Sequence, residues 1–167
     1  FPQNVAVGGT LAVTGALSCT GGLVGTTTNN SAQTGSVGEY VEATIAAPVN
    51  STGADQYFDA TSMSLTAGDW DVTGMCIFLI NGATWTRASL GISSTAGNSG
   101  TGLVAGSNFM GSIWASSATT PAESGGTVAS YRMSLSATTT IYLKAYCSYT
   151  AGTPQAGYGR LSARRTR

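Results

Sequence analysis

Residues 69–80 have the sequence DWDVTGMCIFLI, which decides the fold class of this chain. Apolar residues recur at every second position, the spacing of a β-strand with one face turned to a core. One face would carry Trp70, Val72, Cys76, Phe78 and Ile80, and the other Met75, Ile77 and Leu79. Because the second half is apolar on both faces, we predict a strand buried twice, in the core and against another subunit.

Similar segments on both sides of this strand predict an all-β fold. The eight predicted strands cover residues 39–47, 57–65, 69–80, 85–93, 103–114, 128–135, 139–149 and 157–165. Clusters of Gly, Asn, Asp, Ser and Pro separate them, and Asn81-Gly82 is a strong hairpin signal. No segment has the apolar 3.6-residue period of a helix. Eight short strands indicate an antiparallel β-sandwich of the jelly-roll type.

Three hexads precede these strands, at residues 9–26, with the sequences GTLAVT, GALSCT and GGLVGT. Repeated units of this kind cannot bury their apolar face alone, so we expect several copies of the chain to wrap around one another. Hexapeptide repeats also build left-handed β-helices, but three hexads make only about one coil. We therefore predict a short fibrous stem at residues 1–34 and a globular head at residues 35–167.

Charge is sparse and balanced, with seven basic residues, seven acidic residues and no His. This composition does not support nucleic-acid binding, and no apolar run is long enough to insert into a membrane. The lack of His removes the usual catalytic triads and His-based zinc sites. We predict that the protein is not an enzyme and uses no metal or cofactor.

The carboxylates leave two alternatives open. Glycoside cleavage needs two carboxylates, and two of the following five residues could supply them: Asp55, Asp59, Asp69, Asp71 and Glu123. Asp69 and Asp71 could also form half of a calcium site, against the simpler interpretation of a solvated turn.

The cysteines, Cys19, Cys76 and Cys147, are odd in number and widely spaced. Cys76 and Cys147 lie in predicted strands. We expect them to be small buried hydrophobic residues, with a Cys76–Cys147 disulfide as the alternative.

Four segments resemble the C-terminal head of tailed-bacteriophage tail fibres: residues 33–42 (QTGSVGEYVE), 64–74 (SLTAGDWDVTG), 131–143 (YRMSLSATTTIYL) and 158–167 (YGRLSARRTR). The hexads resemble fibre-shaft repeats. Residues 65–72 also resemble the Gly-x-Tyr-x-Phe strand of tumour-necrosis-factor-like and complement-type heads, with Trp70 and Val72 replacing the two aromatics. These resemblances imply a homotrimeric jelly roll at the tip of a virion tail fibre, extracellular when functional. It would attach to a bacterial surface receptor, a polysaccharide or lipopolysaccharide.

A jelly roll places its first and last strands side by side, so both ends of the head would lie near the shaft. Loops 49–56, 81–84, 115–126 and 150–156 would then lie at the distal end, and loop 95–102 would face the shaft. Sugar sites combine aromatic rings with amides and carboxylates. The candidate receptor residues are therefore Asn50, Asp55, Asn81, Trp85, Trp114, Glu123 and Gln155. Core or subunit packing is the alternative for both Trp residues.

Four of the seven basic residues lie in the last eight positions. We predict an ion network near the trimer axis in which Arg164 or Arg165 pairs with Glu39 or Glu42, within or between chains. A solvated tail is the alternative. For the protein as a whole, the main alternative is a structural module that trimerises or caps a fibre without a ligand. A glycan depolymerase is a weaker one.

Overall fold

The computed structural model describes residues 7–18, 20, 30–110 and 123–167. The chain divides into two units, Phe1–Asn30 and Ser31–Arg167. In the first unit, residues 7–18 contain no strand, and Leu11 and Leu17 are 61% and 60% exposed. Residues 21–26 of the third hexad lie outside the described residues. A stem formed by several chains therefore stays a prediction.

The second unit is an antiparallel two-sheet sandwich, which confirms the all-β prediction. Its strands are β1 (Tyr40–Thr44), β2 (Val49–Asn50), β3 (Gln56–Leu65), β4 (Gly68–Leu79), β5 (Trp85–Ser93), β6 (Phe109–Met110), β7 (Glu123–Leu135), β8 (Thr139–Tyr149) and β9 (Gln155–Arg165). Sheet A has the order β1-β9-β4-β7, with β2 also paired to β9, and sheet B has the order β3-β8-β5-β6. The described ranges contain no helix suited to crossing a membrane.

The strand order is compatible with a jelly roll. The first and last strands are antiparallel neighbours, as predicted, with Tyr40 opposite Arg164 and Thr44 opposite Arg160. Successive strands mostly alternate between the sheets, because β3, β5 and β8 lie in sheet B while β4, β7 and β9 lie in sheet A.

The core lies between the two sheets. The face of β4 predicted to point inward is buried, and Trp70, Val72, Cys76 and Phe78 are fully inaccessible. Sheet B contributes residues such as Phe58, Leu90 and Leu143 from the opposite side. The other face of β4 is only partly covered, and Met75 is 36% exposed there.

Cys76 and Cys147 are free thiols buried in this core. Burial raises the pKa of each thiol to about 12, with a further contribution from Cys76 at Cys147. Both side chains therefore act as small apolar groups, and the disulfide alternative is not found. Cys19 lies outside the described residues.

The Asn81-Gly82 turn forms, but the hairpin prediction is wrong. Both residues have positive φ (46° and 71°), and the Ala83 amide donates to the Ile80 carbonyl at 2.9 Å. Such a turn normally joins two paired strands. Here β4 belongs to sheet A and β5 to sheet B, and the buried residues Ile80 and Ala83 lie in the connection between them.

The segment after β5 also differs from expectation. The strand predicted at 103–114 is reduced to β6, and residues 111–114 lie outside the described part of the chain. Loop 95–102 folds back from the end of β5 across the outer face of sheet B. The Gly97 amide donates to Asp59 at 2.7 Å, and Gly100 lies against the Tyr57 ring.

Candidate functional site

The strand registers define two ends of the sandwich. Tyr40 and Arg164 pair at one end, which we call the base. Asn50 and Leu79 both pair with Gln155 at the other, which we call the distal end. Loops 49–56, 81–84 and 150–156 lie at the distal end, as predicted from the jelly-roll geometry. Most of loop 115–126 lies outside the described residues.

Three candidate receptor residues form a connected group, which we call the distal amide row. Asn81 Nδ2 donates to Gln155 Oε1 at 2.6 Å, and Gln155 Nε2 donates to Asn50 Oδ1 at 2.7 Å. The row lies at the surface, and Asn50 and Asn81 are exposed. Mutual bonding fixes the orientation of each amide and leaves further donors and acceptors free for a ligand.

Asp55 lies at the distal end but on the side of sheet B. Tyr146 Oη donates to Asp55 Oδ1 at 3.0 Å. Hydrogen bonds from Ser148 and Tyr146 lower the pKa of Asp55 below its usual value, so the exposed carboxylate is charged at neutral pH. Burial and the bond to Asp55 raise the pKa of Tyr146. Asp55 has φ of 59°, a conformation that Asp tolerates better than most residues.

Trp85 does not present its ring at the surface, and the core-packing alternative is found for it. Trp85 is 3% exposed and packs edge-to-face on Phe78, with ring centroids 5.4 Å apart. The chain passes from sheet A to sheet B just before Trp85. The Trp85 side chain then points into the core, where burial of a large aromatic ring is favourable. Trp114 lies outside the described residues. Glu123 is exposed at the distal start of β7, opposite Leu79.

One pair of the predicted ion network forms within a single chain, at the base. Arg165 Nε donates to Glu39 Oε2 at 2.8 Å, and both side chains are more than 90% buried. The guanidinium also donates to the Ala67 carbonyl at 2.8 Å and to Thr66 Oγ1, and lies 4.3 Å from the Trp70 ring centroid.

Burial alone would raise the pKa of Glu39. The hydrogen bond from the Gly35 amide and the pairing with Arg165 outweigh burial, so the pKa of Glu39 is lowered. Gly68 makes room for this arrangement, because a Cβ there would lie 2.0 Å from Arg165 Nη1. Its φ of 136° also favours glycine.

The other two predicted members have different contacts. Glu42 pairs with Arg160 at 3.3 Å, and Arg164 lies over the Tyr40 ring at 5.7 Å. The sequence pattern did not predict the role of Asp69, whose carboxylate accepts bonds from Arg132 at 2.9 Å and Arg167 at 2.6 Å. Hydrogen bonds from Ser134 and Arg132 help to lower the pKa of Asp69.

Lys144, which was not predicted as a structural residue, is completely buried on β8. Its ammonium pairs with Asp59, donates to the Gly97 carbonyl at 2.6 Å and lies 5.5 Å from the Tyr142 ring centroid. Asp59 in turn accepts the Gly97 amide. A lysine inside the apolar run IYLKAYC was the available signal, because lysine is almost never buried unless paired.

Among the described residues, no cluster of three or more His, Cys, Asp or Glu could hold a metal ion. Comparison of the chain with protein-family models and with curated proteins found no match.

Proposed function

We propose that this chain is the receptor-binding head of a bacteriophage tail fibre, joined through its N-terminal stem to the rest of the fibre. The observation that carries this proposal is the position of the distal loops. They lie at the end of the sandwich away from Tyr40 and Arg164, and they present the distal amide row and Asp55. The sequence resemblance to tail-fibre heads supplies the biological setting. The ligand would be a polysaccharide or lipopolysaccharide on the bacterial surface.

In this proposal, three copies of the head form a homotrimer, and the outer face of sheet A is the surface through which they contact one another. Met75 and Tyr158 are 36% and 54% exposed there, although both belong to central strands of the sheet. A hollow of about 150 Å³ between Met75 and Arg160 could accept a side chain from another copy. Burying this apolar area would favour association by about 25 cal/mol per Å².

Charges on the same face suit contact with a second copy. Asp71 and Arg164 are neighbours across β4 and β9, and both are exposed. Neither forms an ion pair within the described part of the chain. Copies related by a threefold axis could pair these charges between chains, which would fix the register of assembly more than its strength.

Replacing Met75 with arginine is expected to reduce a trimer to monomers, because three added cations would meet at the interface. The measurement is the solution mass by light scattering. Ser62→Arg is the matched control, since Ser62 is exposed on β3 of the opposite sheet and its replacement should leave a trimer intact. A monomeric wild-type chain would contradict the assembly proposal.

Changing Gln155 to alanine is expected to reduce attachment to host cells by about tenfold per site, with larger losses in a trimer through avidity. Gln155 is the centre of the distal amide row, so its loss also releases Asn50 and Asn81. Adsorption of labelled protein to a panel of bacterial strains measures this. Ser62→Ala is the control variant. Equal adsorption by both variants would remove the distal amide row from the receptor site.

The structural-module alternative is favoured by one observation, the burial of Trp85. It predicts a stable head that adsorbs to no strain and retains no glycan.

We do not favour a depolymerase, because Asp59 and Asp69 are engaged in ion pairs rather than facing an open groove.

A further inference from the structure

An aromatic and polar patch lies on the outer face of sheet B, next to the distal end. Tyr57 and Tyr146 form its floor, with ring centroids 5.0 Å apart. Both side chains point away from the core, since their neighbours Phe58, Ala145 and Cys147 are buried. Both rings are half-buried, so each keeps part of its surface open to solvent.

Groups that bind hydroxyls surround these rings. The Asp55 carboxylate lies at one edge, bonded to Tyr146 Oη. The exposed Arg87 guanidinium lies 5.3 Å from the Tyr146 ring centroid. Gln56 and Asn98 form a further edge, because Asn98 Nδ2 donates to Gln56 Oε1 at 3.2 Å. The patch therefore combines two aromatic rings, inclined at 50° to each other, with a carboxylate, a guanidinium and two amides.

The patch is held in place by the loop that crosses sheet B. Gly100 packs against Tyr57 so closely that a Cβ would lie 2.6 Å from the ring. Lys144 and Asp59 fix Gly97 through its carbonyl and its amide. Asn98 follows Gly97 directly, so its position depends on this anchor. A site formed in advance binds its ligand with a smaller entropic cost.

We propose that this patch is a binding site for a neutral hexose residue of a bacterial surface glycan, an inference that rests on the proposed function. The apolar CH face of the sugar packs against the exposed parts of the Tyr57 and Tyr146 rings, which form an angled contact surface. Its hydroxyls donate to the Asp55 carboxylate and accept from Arg87 and Asn98. The Asp55 carboxylate and the Arg87 guanidinium carry opposite charges, so the patch has no net charge that would favour an ionised sugar over a neutral one. If sheet A faces the trimer axis, this patch stays exposed.

Binding of free glucose, galactose and mannose, measured by NMR chemical-shift titration of the full chain, tests this site. At least one hexose should shift the resonances of Arg87 and the Asn98 amide. Asp55→Asn and Arg87→Ala should each weaken that binding about tenfold or more, because each removes a charged hydrogen-bonding partner. Asparagine keeps the positive φ at position 55, so loss of binding would reflect the charge. Ser62→Ala, on the same sheet face, is the control.

Three outcomes would overturn the site, and they are distinguishable from failure of the proposed function. Equal hexose binding by the wild type and both patch variants would place the sugar elsewhere. Stronger binding of galacturonic acid than of galactose would contradict a neutral ligand. Adsorption to bacteria that is lost in Gln155→Ala but unchanged in both patch variants would leave the receptor function intact and remove this patch from it. A wild-type head that adsorbs to no strain and binds no sugar would overturn both.

Discussion

Replacing Arg165 with alanine is expected to lower the free energy of unfolding by about 3–5 kcal/mol, because Glu39 would be left charged and buried without its partner. The arginine also holds the β3–β4 turn through Thr66 and Ala67 and covers the Trp70 ring. Urea unfolding monitored by tryptophan fluorescence measures the loss. Arg87→Ala is the matched control, since this exposed side chain should change stability by about 1 kcal/mol or less.

The same pair gives stability an acid dependence. The pKa of Glu39 is lower in the folded protein than in the unfolded chain, where its ordinary value is 4.5. The stabilisation is therefore fully present above pH 4.5 and is lost as the pH falls through the lower, folded-state value. In Arg165→Ala this acid-induced loss should shrink. A variant that keeps both the wild-type stability and its acid dependence would show that the pair contributes nothing.

The alternating pattern of the sequence predicted most of the head, because the β-strand period reports which residues face a core. The inward face of β4 is the clearest case, and the antiparallel pairing of β1 with β9 followed from the jelly-roll assignment. The pattern could not show which sheet a strand joins. Asn81-Gly82 consequently predicted a paired hairpin, although β5 belongs to the opposite sheet and Trp85 is buried.

The sequence predicted candidate site residues only where the position of a loop is enough to show which residues lie together. Asn50, Asn81 and Gln155 were assigned to one end, and they form the distal amide row. The patch on sheet B was not predicted, apart from Asp55. It depends on a loop that folds back over the sheet, and that path follows from contacts between residues far apart in sequence. Lys144 and Asp59, which anchor the loop, are 85 positions apart.

Replacing Asp59 with alanine should have an effect as large as the loss of Arg165, about 3–5 kcal/mol, because a completely buried ammonium would lose its counter-ion. The loop should also open, since the Gly97 amide loses its acceptor. Urea unfolding measures the first effect, and hydrogen exchange at Gly97 measures the second. The variant should increase the exchange rate of the Gly97 amide by a larger factor than the exchange rate of core amides such as Leu143.

The double variant Asp59→Ala with Lys144→Met separates the cost of an unpaired charge from the value of the pair. Methionine can occupy the buried space without needing a counter-ion, so most of the lost stability should return. Hydrogen exchange at Gly97 should nevertheless stay fast, because neither new side chain can bond the loop. If the double variant is as unstable as the single one, packing at Lys144 rather than its charge maintains this region. If both variants keep Gly97 protected, the loop is held by Gly100 and Tyr57 instead, and the patch on sheet B does not depend on the ion pair.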